Sequence, residues 1–312
     1  MITLALQAMA TRFEIVLNGD SPGVRAAGEE ALREISRIEA MLSLYQASSE
    51  VANLNTAAAE GPMRVSGELF SLLTRAVDLS RETEGAFDIT IAPLVRAWGF
   101  MRGSGAPPSA EEIEAARADV GYALLELDAS NRTARFARPG VMLDFGAFGK
   151  GYAIDCAIEI LREAGVDSAL LHGGTSTVFG LGTQADGQPW KIAIEGAPPE
   201  EASEERNVIS VAELRDESLS VSAVWGKSFA SQGRTFGHIL DARTGRPSER
   251  AELAAVTLPS AADSDALSTA LLVDGAGAIE RMARIRQEAR LLVLSGRRVS
   301  ARKFNVLDAP SN

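Results

Sequence analysis

The stretch Met142–Asp155, MLDFGAFGKGYAID, constrains the fold of this chain more than any other. An apolar lead-in meets Asp144; Gly146, Gly149 and Gly151 then crowd around Lys150 before a helical pattern begins. Glycines beside a lysine at a strand-to-helix junction suggest a phosphate. The known templates do not fit: a P-loop needs four residues between its first glycine and the Gly-Lys pair, and here there are two. A dinucleotide fingerprint needs a third glycine where Ile154 stands. Two readings stay open at this level. One is a compact bend whose amides and lysine hold an anion; the other is a tight turn with a solvated lysine.

Around this junction short strands alternate with helices and no fixed repeat appears. TRFEIVLN reads as a strand, and SPGVRAAGEEALREISRIEAMLSLY as a helix with its apolar face at Ile35, Ile38 and Leu42. SGELFSLLTRAVDLSRET predicts a second helix, and residues 103–121 a surface loop and a short helix capped by Ser109. Short strands are expected between Leu124 and Leu143, a helix over 152–164, and further strands in SALLHGG, WKIAIEG, VISVAEL, SLSVSAVW, FGHILDARTG and EARLLVLSG. This mixture predicts an α+β fold rather than a doubly wound parallel sheet.

A net charge of −11 argues against general nucleic-acid binding, which needs a basic face, and means that a polyanionic ligand requires local compensation. A lone cysteine, Cys156, excludes an internal disulfide; it falls in a helical apolar pattern and reads as a small buried hydrophobe. The N-terminal residues show no charged leader, no lipobox and no long apolar run, so the chain as written is expected in the cytoplasm, and in the periplasm if a leader has been trimmed away. No window is apolar enough for a membrane span.

Oxygen-bearing side chains cluster in ADSDALSTALLV. Asp265 and Thr269 lie one helical turn apart, on one face, where they can share a hard cation such as Mg²⁺. Spacing alone favours the plainer alternative, in which Asp263 and Asp265 cap a helix and Thr269 packs. His238 is read on a strand ending in the Asp241–Gly245 turn, as a proton shuttle, a phosphate contact or a strand histidine.

In order along the chain, MATRFEI, SLYQASSEVANLN, GAFDITIAPLVRAWGF, LDFGAFGKGYAID, HILDARTGRP and DALSTALLV resemble the FAD:protein FMN transferase family, also called the ApbE family. The resemblance implies one T-fold-like domain over residues 1–312, built of two intertwined lobes with FAD in the cleft between them. It implies Mg²⁺-dependent transfer of FMN from FAD to a threonine of a target protein, with release of AMP; some members instead hydrolyse FAD to FMN and AMP. Position by position it implies FAD contacts at Met9, Tyr45, Ala86, Phe87, Asp88, Asp144, Lys150 and His238. It implies metal ligation by the Ala147 carbonyl, Asp265 and Thr269. The base that takes the acceptor proton is either an aspartate beside the metal, Asp265, or His238. Two departures stand out: Thr175 occupies a position where the family usually carries an aspartate, and SAVWGK, ending in Lys227, replaces a stretch like SGDYER.

Overall fold

The computed structural model describes residues 1–101, 105–197 and 207–307. The chain opens with β1 (Ile2–Ala8), β2 (Thr11–Leu17), α1 (Pro22–Leu42), α2 (Glu50–Ala57), β3 (Met63–Arg64), α3 (Gly67–Glu82), α4 (Ala92–Ala97) and α5 (Ala110–Arg117). There follow β4 (Leu125–Asp128), β5 (Thr133–Phe136), α6 (Gly149–Glu163), β6 (Ala169–Gly173), β7 (Thr177–Leu181), β8 (Trp190–Glu195) and β9 (Val208–Leu214). The last third holds β10 (Glu217–Ala223), β11 (Ser228–Ser231), β12 (Arg234–Gly237), β13 (Leu240–Asp241), β14 (Arg246–Pro247), β15 (Leu253–Leu258), α7 (Ala261–Asp274), α8 (Ile279–Ile285), β16 (Arg290–Ser295) and β17 (Arg298–Arg302). The fold is α+β. These elements fall into two compact units, each made of separate stretches of chain.

The first unit comprises Met1–Glu39, Phe148–Ala223 and Arg250–Asn312. Its frame is an eight-stranded sheet in the order β1-β2-β6-β7-β10-β15-β16-β17, with β8 and β9 forming a separate pair. Every neighbouring pair of the large sheet is antiparallel. Such a sheet needs an apolar cover. α7 supplies it over β7, β10 and β15, and α6 packs against α7. Eleven of the fourteen residues of α7 are buried, so its sequence is apolar nearly all round rather than along one stripe. The segment of α1 within this unit crosses close to β1 and β2 at Gly28, where a Cβ would lie 2.6 Å from Leu4 Cδ1 and 2.7 Å from Leu17 Cδ1.

The second unit comprises Ala40–Ala147 and Val224–Glu249. It holds a three-stranded sheet, β3-β5-β4, and two small pairs, β11-β12 and β13-β14. Leu94, Trp98, Phe100, Ile113 and Leu240 form a buried cluster against which Phe229 and Phe236 pack. The Trp98 indole donates to the Gly245 carbonyl at 2.8 Å, which satisfies its one buried donor.

Several expectations are corrected. α6 starts at Gly149, three residues before the expected 152, because the glycines themselves enter the helix. Between Leu124 and Leu143 only β4 and β5 form; the chain beyond Phe136 runs without a strand. His238 is not on a strand but in the bend between β12 and β13, one residue past the end of β12, where its amide still meets the Lys227 carbonyl at 3.0 Å in register with the β11–β12 pair. Cys156 is half-buried rather than buried. The helix expected within 103–121 is α5, with Ser109 and Glu112 closing a capping box; residues 103 and 104 lie outside the described residues.

Candidate functional site

The chemistry-bearing groups of the first unit gather where α6 and α7 begin. A Cβ on Gly151 would lie 2.1 Å from the Ala261 carbonyl oxygen, so only glycine lets the first turns of these helices touch. Each helix then caps the other. Asp155, one turn into α6, accepts from the amides of Ala261 and Ala262 at 2.7 and 2.9 Å and from the Ser260 hydroxyl at 2.8 Å. Asp265, one turn into α7, accepts from the amide of Gly151 at 3.2 Å. Helix N-termini carry unpaired N–H groups and a partial positive charge, and each carboxylate answers the other helix's need. Asp155 keeps an unfavourable share of the exchange: burial pushes its pKa up to about 6, against the three hydrogen bonds that lower it, and nearby Asp263 adds to the rise.

Asp265 is only 4% exposed. Besides the Gly151 amide, its oxygens meet the Thr177 hydroxyl at 3.3 Å and the Lys150 ammonium at 3.5 Å. All three contacts are longer than the roughly 2.7–2.9 Å of a good charge-assisted hydrogen bond. A buried carboxylate held this loosely has charge left to share with a cation. Thr269, one turn further along α7, adds a half-buried hydroxyl. Both donors are hard oxygens, which is the chemistry Mg²⁺ takes. Among the described residues, then, the fold brings Lys150, Asp265 and Thr269 together. Met9 lies instead in the β1–β2 turn, where it donates its amide to Glu39 at 2.6 Å. Met9 and Ala10 both take positive φ, 50° and 57°, in a two-residue turn that ordinarily selects Asn and Gly.

The remaining sequence-derived candidates lie in the second unit. Asp144 accepts from the Gly146 amide at 2.7 Å, and the Tyr45 hydroxyl is pushed above its ordinary pKa by desolvation first and by the Asp144 charge second. Tyr45 as a whole residue is 69% exposed. Ala86, Phe87 and Asp88 are buried. Asp88 uses both oxygens internally: one takes the Thr90 amide and hydroxyl at 2.8 and 2.7 Å, the other the Tyr122 amide at 2.7 Å. Burial pushes its pKa up despite these bonds. His238 places Nδ1 2.8 Å from the Lys227 carbonyl. A carbonyl only accepts, so Nδ1 carries a proton. Ala147 is the last residue before the chain passes to the first unit at Phe148.

The glycine-rich junction resolves differently from either opening reading. The amides of Gly146 and Gly151 are directed at carboxylates of the chain itself, those of Asp144 and Asp265. The plainer reading of Asp265 as a cap was half true, since it caps α6 rather than its own helix. Sequence reasoning missed Asp155 and Thr177. Asp155 had a signal, an acid one turn after Gly151; Thr177 had none, because its partner is distant in the chain. Of the two departures, Thr175 is exposed in the β6–β7 turn, and the Lys227 ammonium donates to the Phe100 carbonyl at 2.6 Å.

Fold and site together define an α+β protein with an oxygen-donor, lysine-flanked site at two facing helix N-termini. The model of the ApbE family matches residues 9–293, and the chain belongs to that family. The FAD:protein FMN transferase of Haemophilus influenzae is 29% identical over 286 residues, 88% of this chain and 81% of its own length. Among solved structures, an ApbE protein of Thermotoga maritima superposes with a TM-score of 0.86 at 28% identity, covering 97% of each chain. The flavinyl transferase ApbE of Pseudomonas stutzeri, in its apo form, gives 0.80 at 30% identity, covering 97% of this chain and 94% of its own. Among the described residues no helix is long and apolar enough to cross a membrane.

Proposed function

We propose that this protein transfers FMN from FAD to a threonine of a target protein in a Mg²⁺-dependent reaction that releases AMP. The observation that carries the reading is the loosely held, buried Asp265, one turn from Thr269 and 3.5 Å from the Lys150 ammonium. Asp265 and Thr269 would hold the metal, joined by the Ala147 carbonyl. When bound, Mg²⁺ offsets diphosphate charge and so makes the phosphorus accessible to an alcohol. Lys150 binds and orients the diphosphate in an otherwise acidic protein, beside helix starts whose Gly151, Ala261 and Ala262 amides are held by Asp265 and Asp155. The acceptor hydroxyl oxygen forms a bond to the FMN-side phosphorus, the bond from that phosphorus to the bridging oxygen breaks, and AMP leaves with that oxygen. The hydroxyl proton passes to a base. His238 and Asp265 are the two candidates for this base.

Met9 and Tyr45 would pack on the flavin, and Ala86, Phe87 and Asp144 would line its site. Asp88, its oxygens occupied, would act by holding the backbone of that segment. Thr175 and Lys227, which replace the family's usual acid and arginine, favour a second reading in which the chain binds FAD with little or no turnover; in a third, water is the acceptor and FAD becomes FMN and AMP. Incubation with FAD and Mg²⁺, with and without a threonine-bearing acceptor domain, decides. AMP release that requires the acceptor, with FMN mass appearing on it, is the expected result. Release without the acceptor supports hydrolysis, and FAD binding without release in either mixture overturns transfer and hydrolysis and supports the binding reading.

A further inference from the structure

β10 carries serine at three successive alternate positions, 218, 220 and 222, and all three make hydroxyl contacts with α7. A strand covering a buried helix is normally apolar at such positions. Hydroxyls there need partners in a low dielectric, and an apolar pair of the same shape would serve stability equally well.

The contacts have a direction. Asp265 Oδ1 can only accept, so the Thr177 hydroxyl, at 3.3 Å, must spend its one proton there. Ser220, 3.1 Å from Thr177, therefore donates to Thr177. Ser264 lies 3.1 Å from Ser220 and 2.6 Å from Ser218, and both Ser264 and Ser218 also reach backbone carbonyls, those of Ala261, Leu258 and Ser260. The directed part therefore runs from Ser220 on β10 through Thr177 on β7 to the carboxylate of Asp265, with Ser264 and Ser218 packed behind it. All are buried.

A second, shorter chain runs from Thr269. A threonine that ligates a cation must turn its O–H away from the ion, and Ser222 Oγ stands 3.2 Å from Thr269 Oγ1 to receive it. Ser222 is 2.9 Å from Ser268, and Ser268 donates to the Asp265 carbonyl at 2.9 Å. The Asp265 carbonyl is itself 3.4 Å from Thr269 Oγ1, a longer alternative. Two separate hydroxyl chains therefore touch the side chains of one helical turn, one ending on the Asp265 carboxylate and the other starting at the Thr269 hydroxyl.

We propose that the serine ladder of β10 sets the divalent-cation affinity of Asp265 and Thr269, with Thr177 and Ser222 as positioning residues. This rests on the metal reading above. Thr177 holds one carboxylate oxygen by a directed hydrogen bond and leaves the other toward Lys150 and the cation. Ser222 drains the Thr269 proton, so that a lone pair faces the ion. Positioning groups behind metal ligands ordinarily change affinity about 10–100-fold.

The test is a Mn²⁺ titration of the full chain, followed by electron paramagnetic resonance, with melting curves in metal-free buffer as the check on folding. Thr177→Val is expected to weaken Mn²⁺ binding about tenfold or more, and Thr177→Ser to restore it, because the hydroxyl rather than the shape is what matters. Ser222→Ala is expected to weaken it comparably through Thr269, and it carries the test if Thr177→Val fails to fold. Asp265→Ala separates the two levels of inference. Loss of binding in Asp265→Ala with wild-type affinity in Thr177→Val and Ser222→Ala overturns the positioning role and leaves the metal site standing. A Thr177→Ser variant as weak as Thr177→Val overturns it as well. Wild-type Mn²⁺ binding in Asp265→Ala, or none in the unmodified chain, overturns both.

Discussion

At the scale of the residue, Gly151 at the candidate site and Met9 and Ala10 in the β1–β2 turn break local rules. Gly151 sits inside α6, where alanine would ordinarily gain about 1 kcal/mol. The overlap with the Ala261 backbone decides the sign, because a carbonyl cannot swing aside as a flexible side chain can. Gly151→Ala is expected to lower unfolding free energy by about 1–3 kcal/mol in denaturant titration; a stabilised variant would show that the helices separate easily. Met9 and Ala10 take left-handed conformations without being Asn or Gly. Such strain costs of order 1–3 kcal/mol per residue and persists where something other than stability selects the side chain. Met9→Asn is therefore expected to stabilise the protein by about 1 kcal/mol while weakening FAD binding, measured by flavin fluorescence quenching. Tighter or unchanged FAD binding would remove Met9 from the flavin contacts.

At the scale of the element, the reciprocal capping of α6 and α7 makes the site depend on one carboxylate that touches no substrate. The pKa of Asp155, near 6, lies above the ordinary aspartate value, so the native state holds this proton more tightly than the unfolded chain does. Its contribution to stability is therefore fully present below about pH 4 and lost as pH rises through 6. The stability of the wild type relative to Asp155→Asn should fall by roughly 2–3 kcal/mol between pH 4 and pH 7.5, read from urea denaturation at each pH. A difference that grows with pH would mean that the three hydrogen bonds outweigh burial.

At the scale of the whole molecule, neither unit is a continuous stretch of sequence. β6 pairs with β2 over Ala169–Gly173, and β2 lies more than a hundred residues earlier in the chain. A fragment of residues 148–312 would keep β6 and leave the edge it presents to β2 bare, so it should show no cooperative melting transition. A sharp calorimetric transition in that fragment would contradict the interleaving.

The α+β class was readable because strands such as TRFEIVL and WKIAIE alternate and helices such as α1 and α3 keep a 3.6 period. β1 and β7 went unnoticed: Ile2–Ala8 alternates but is short and opens the chain, and Thr177–Leu181 is buried throughout and shows no alternation. The His238 bend was missed because FGHIL looks extended, and the β11–β12 hydrogen bonding does run on to His238 before the chain bends. Asp265, Thr269 and Lys150 were readable through the order of motifs along the chain. The hydroxyl chains were not, because the SLSVS alternation marks a strand whether or not its serines meet another element.

Under the proposed function, the diphosphate of FAD would be cleaved beside Asp265 on α7. Asp265→Asn keeps the size of the side chain and removes its charge. With saturating FAD, Mg²⁺ and acceptor, AMP release by that variant should fall at least about 100-fold, with a melting temperature near that of the wild type. An unchanged rate of AMP release would place the chemistry elsewhere.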